Sequence, residues 1–140
     1  MSKRENVLIA LNALITGNAA GATVLRNFSL PKKIPNAGLV ILRDGDPGEP
    51  EVTLSPLTYI YNHLAVVEVI VEDGATQDAK FDGICAAIGA RIEGNRTLGG
   101  LCDWVEGVAP EPVELVTEGG EPMKAAVVSI LLIYSTTSPI

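Results

Sequence analysis

Apolar residues recur along this chain with two different periods, and the two periods mark its elements. Between Glu5 and Ile15 the positions Val7, Leu8, Leu11, Leu14 and Ile15 follow helical spacing, and Gly17-Asn18 stops the run. A second helix is predicted from about Ala75 to Glu93, where Phe81, Ile84, Cys85, Ile88 and Ile92 form a single stripe. Asp78 and Asp82 come early in it and Arg91 late, which suits the helix dipole, and Gly94-Asn95 ends it.

The remaining signal is strand. Gly38–Arg43 is an apolar run, and Glu51–Leu54 is a short returning strand that ends before Pro56. Between them, Asp44-Gly-Asp-Pro-Gly-Glu-Pro50 is dense in turn residues, so about 43–52 is expected to project as an acidic hairpin. Leu57–Glu72 is the longest strand. One face carries Tyr59, Tyr61, His63, Ala65, Val67, Val69 and Val71; the other carries Ile60, Asn62, Leu64, Val66, Glu68, Ile70 and Glu72. Near Leu64–Val67 both faces are apolar. A helix packed on the sheet accounts for one of them, and a neighbouring subunit for the other.

Asn18–Pro35 is expected to be loop, with at most a short strand near Val24-Leu25. Leu98–Val105 is a tight turn into a short extended segment, with positive φ expected at Gly99 or Gly100. Pro112–Thr117 alternates as a strand, Glu118-Gly-Gly-Glu121 is a hairpin turn, and Lys124–Tyr134 is the most apolar strand and should lie inside the sheet. The predicted fold is α+β in one domain, 1–140. It has a single mixed, mainly antiparallel sheet, an N-terminal helix and one amphipathic helix packed on one face.

Composition adds two things. Only 19% of the 140 residues are charged and only 4% are aromatic, so the core is aliphatic and little polar material covers the outside. That favours buried subunit contacts, since large bare apolar patches are uncommon on monomers. The charge is also asymmetric. Residues 1–43 hold six bases against Glu5, whereas 44–140 hold sixteen acids against Lys80, Arg91, Arg96 and Lys124. Such a division can orient subunits on each other. No basic stripe with interleaved aromatics is present, so sequence-specific nucleic-acid binding is not expected. No apolar run approaches a membrane span, and Met1-Ser-Lys-Arg-Glu followed by an amphipathic segment predicts no signal peptide.

Candidate chemistry is thin. His63 is the sole histidine and has no acid on its face within two positions. Cys85 and Cys102 fit no metal spacing and are too few for a disulfide framework; Cys85 sits on the helix stripe as a small hydrophobe. Gly94–Gly100 follows a helix, whereas a phosphate cradle precedes one. The acids at 44–51 lack the further ligands of a calcium loop. Trp104 is expected to anchor the core, or else an interface. No catalytic, cofactor-binding or metal-binding residue is assigned. A small enzyme or ligand-binding domain with its site near His63 or Cys102 is the alternative from another class.

The helix 75–93, the following Asn95-Arg-Thr-Leu-Gly-Gly-Leu101, the segment leading to a C-terminal hairpin, and the acidic stretch 43–52 before the long strand together resemble the tail terminator (tail-completion) proteins of long-tailed bacteriophages and prophages. The resemblance spans most of the chain, from the Val7–Ile15 helix to the last strand. It implies a homo-oligomeric ring, commonly a hexamer, that caps the tail tube, stops its polymerisation and offers a docking face to a head-completion or connector protein. It implies no catalytic residue and no cofactor. Its setting would be the host bacterial cytoplasm during assembly and then the virion tail. Arg43, Asp44, Asp46, Glu49, Glu51 and Glu68 are the candidate assembly residues, with neighbouring subunits and the tail tube protein as partners.

Overall fold

The structure, a computed structural model, describes residues 1–140 apart from Asn18, Lys32, Asp73 and 114–122. Helix α1 runs Lys3–Thr16 and helix α2 runs Gln77–Gly94. The strands are β1 Thr23–Arg26, β2 Leu39–Asp46, β3 Glu51–Thr53, β4 Thr58–Glu72, β5 Trp104–Gly107, β6 Glu111–Val113 and β7 Met123–Thr136. They form one mixed sheet in the order β1-β2-β4-β7-β5, with β3 bonded to β4 and β6 to β7. Among the described residues only the β1–β2 pair is parallel. The expected hairpin turn at 118–121, and the strand residues 114–117, lie outside the described residues.

Both helices lie on the same face. Ser2 caps α1, its hydroxyl accepting from the Glu5 amide at 3.2 Å. This satisfies one of the donors that a helix N-terminus leaves unpaired. Val7, Leu8, Leu11 and Ile15 of α1 and Ile84, Ile88 and Ile92 of α2 are buried together with Val40, Leu42, Ala65, Val67, Val69, Val71, Ile130 and Leu132 of the sheet. Phe81 and Cys85 stand at the border of this core, partly buried. β7 lies between β4 and the β5–β6 edge and is paired along its whole length with β4, from Tyr59↔Thr136 to Glu72↔Met123. Leu98, Gly99 and Gly100 all take positive φ in the turn after α2, where Asn95 Oδ1 accepts from the Gly99 amide.

The stretch 43–52 is not a hairpin. β2 and β3 do not pair with each other; both pair with β4, one after the other, so the chain does not reverse between them. The turn chemistry serves a bulge instead. The register slips between Arg43 and Asp46. Gly45 there has φ +71°, and its α-carbon lies so close to the Leu64 carbonyl that any β-carbon would collide with it. The Asp46 carboxylate accepts from the Gly48 amide at 2.8 Å, which tightens the bend. The reversal comes later, at Leu54–Leu57, around a cis Ser55–Pro56 bond. The projecting feature is therefore the β3–β4 end, and its tip is apolar: Leu54 is 78% exposed and Leu57 46%.

Candidate functional site

The second face of the sheet is only half covered. Towards one end, Ile34 of the β1–β2 connection folds over Leu39, Ile41, Ile70 and Ala125, with Leu25 and Met123 beside them. Towards the other end nothing among the described residues covers it. Alternation puts Leu64 and Val66 of β4 on this face, and direct pairing puts Leu131 and Ile133 of β7 and Trp104 of β5 there too. Leu64 and Trp104 are each 45% exposed, and Val66, Leu131 and Ile133 are partly exposed. The two-sided apolar pattern at 64–67 thus marks a real surface. The sequence reading missed its continuation across β7, where Val127, Leu131 and Ile133 carry the same signal on the face away from the helices.

Trp104 does not anchor the core. Its chain neighbour Val105 takes that position, fully buried, and the indole faces outward. There the Arg96 guanidinium stacks over the ring at 4.8 Å, and the indole N–H donates to Glu106 at 2.7 Å. Arg96 also donates to the Val105 carbonyl and to Glu106. The indole is therefore held in place by Arg96 over one face and Glu106 at its N–H, and it remains 45% exposed.

The six residues singled out from the sequence divide into three settings. Arg43 and Glu68 form an ion pair, 2.6 Å at its shorter contact, on the half-open face beside Val66. Asp44 meets Arg26 at the surface on the helix side; Arg26 reaches it at 2.9 and 3.0 Å and grips both oxygens of Glu5 at 2.6 and 3.1 Å. This cluster ties α1 to β1 and β2. Arg26 holds the Glu5 carboxyl below its usual range. Asp46, Glu49 and Glu51 are exposed and have no ion-pair partner among the described residues, Asp46 accepting only from the Gly48 amide of its own bend. Sequence proximity grouped these acids; the bulge separates them.

His63 is buried on the helix side, 1% exposed. Nε2 meets the Asp44 carbonyl, which only accepts, so Nε2 carries the proton. Nδ1 then accepts from the Tyr134 hydroxyl at 2.9 Å. Both ring nitrogens are occupied in a neutral imidazole, and burial lowers its pKa. Burial likewise raises the Tyr134 hydroxyl to about 12 and the Cys102 thiol to about 11. Both cysteines are free thiols, with Cys102 in the core. The arrangement holds the Gly45 bulge against the core and gives neither a poised base nor a thiolate. Among the described residues no three of His, Cys, Asp and Glu converge as metal ligands, and no helix is long and apolar enough to cross a membrane. No protein-family model matches the chain, and no curated protein matches it in sequence.

Proposed function

We propose that this protein is a structural assembly subunit of the tail-terminator type. Copies close into a ring, six in the arrangement the resemblance implies. The ring caps a tail tube, stops its growth and offers its other side to a head-completion protein. Its place would be the host cytoplasm during assembly and afterwards the virion tail.

The observation that carries this reading is the half-open sheet face. Leu64, Val66, Leu131, Ile133 and Trp104 make a contiguous apolar surface on a chain that has few charges to cover it. Covering such a patch stabilises an assembly by about 25 cal/mol for each Å² removed from water. The uncharged Asn62 and Ser129 also lie on it, and it is bordered by charged groups already paired to each other, Arg43 with Glu68 and Arg96 with Glu106. They can enter an interface without leaving an uncompensated charge.

The test is electron microscopy of the purified protein, alone and mixed with tail tubes of its phage. Rings of uniform diameter that sit at tube ends and fix tube length support the reading. Particles that never form rings and leave tube growth unchanged would refute it.

A further inference from the structure

The two edges of the sheet carry complementary surfaces. At the β1 edge, the connection from Asn27 to Gly38 bears Phe28, 57% exposed, Leu30, also exposed, and Lys33. This connection contains Lys32 and Lys33 and no acid. It borders the open face, because Arg43 on that face donates to the Phe28 carbonyl at 3.0 Å. At the opposite edge, on the helix side, a cleft separates α2 from the segment 107–110. Its walls are apolar, formed by Cys85, Ile88, Ile92, Val108, Pro110 and Val128, and its volume is about 180 Å³. A cavity of about 150 Å³ with such a lining accepts a benzene ring.

The surroundings of the cleft are acidic. Glu93 and Glu106 line the adjoining groove, and Asp82 stands one helical turn before Cys85 on α2. Two bases stand nearby, each already matched: Arg96 by Glu106 and Lys124 by Asp78. Asp82 and Glu93 have no ion-pair partner among the described residues, and neither has Lys33.

We infer that the cleft between α2 and segment 107–110 receives the Phe28–Lys33 loop of a second copy of this chain. The Phe28 ring fills the apolar floor, and Lys33 meets the acids around it. A copy cannot serve itself. Its own Phe28 stands at the β1 edge beside Arg43 of the open face, four strand spacings of about 4.8 Å, or about 19 Å, from β5, and the connection reaches α2 only at its far end, where the Asn36 carbonyl accepts from Lys80. A loop at one edge entering a cleft at the other is a heterologous contact, and repetition of such a contact generates a ring or a filament. The open face, which adjoins the loop, is carried into the same interface. This inference rests on the ring reading and specifies which surfaces join.

Two variants each remove one half of the contact. Phe28→Ser with Lys33→Glu disables the loop on an exposed segment. Gly89→Leu blocks the cleft from within α2, where an added β-carbon meets nothing within 4 Å and helix propensity rises. Each variant alone should sediment as a monomer with a native melting transition. Mixed in equal amounts, they should form a dimer and stop there, because one intact loop and one intact cleft remain to meet. The mixed dimer should weaken as salt rises. A wild-type ring that both variants still form would overturn this contact and leave the ring reading standing. Folded single variants that give only monomers when mixed would also overturn it. A wild-type protein that stays monomeric would overturn both.

Discussion

At the scale of single residues, the sole histidine is a structural link. His63 holds the Asp44 carbonyl of the bulge on one side and accepts from Tyr134 on the other. Tyr134→Phe removes the donor and leaves a buried acceptor unpaired, a loss of about 1–3 kcal/mol that urea unfolding would read. The same burial makes stability depend on pH. The folded-state pKa of His63 lies below its ordinary 6.5, so the unfolded chain takes up the proton first. The stabilisation is complete above about pH 6.5 and is lost as pH falls below it towards the folded value. Glu5 behaves alike in a lower window, below its ordinary 4.5, because Arg26 depresses it. Unfolding free energy should therefore decline in two stages on acidification, and His63→Gln should remove the upper one. A profile that is flat from pH 7.5 to 5 would contradict the buried neutral imidazole. None of this pairing was legible in the sequence. Tyr134 stands 71 positions after His63, and only the register of two long strands brings them together.

At the scale of elements, much was legible because the periods are clean. The α2 stripe predicted its buried face, and Ile84, Ile88 and Ile92 are within 2% of full burial. Ile88→Asp should cost several kcal/mol, the penalty of an unpaired charge in an apolar core, and wild-type thermal melting would refute that packing. The long strands were legible for the same reason. The segment 43–52 misled because Asp-Gly and Pro-Gly signals mark bends without saying whether the chain reverses. Gly45 spends its conformational freedom on a bulge, and the pairing of both β2 and β3 with β4 is a non-local fact. The consequence is a contrast among acids that looked alike. Glu49→Lys with Glu51→Lys should shift stability by no more than about 0.5 kcal/mol, being exposed changes. Asp44→Lys should lower the melting temperature clearly, since it faces Arg26 across 2.9 Å. Equal melting of the two variants would show that the Glu5–Arg26–Asp44 cluster contributes nothing.

At the scale of the whole molecule, the asymmetry seen in the composition takes a spatial form. The helices and half of the second face make a sufficient core, and what remains is an apolar patch, an apolar hairpin tip at Leu54 and Leu57, and edges of opposite character. The patch was half legible: residues 64–67 announced it, whereas the sequence offers the core first for Trp104 and an interface second. Direct pairing of Trp104 with Ile133 places it outward. The central claim is that this surface exists to be covered by further copies. Sedimentation equilibrium of the wild type and of Leu131→Lys, at micromolar protein, tests it most directly. The wild type should form one closed oligomer, and Leu131→Lys should sediment as a folded single chain with unchanged melting. A wild type with the mass of one chain, or a Leu131→Lys protein that assembles as well as the wild type, would contradict the claim.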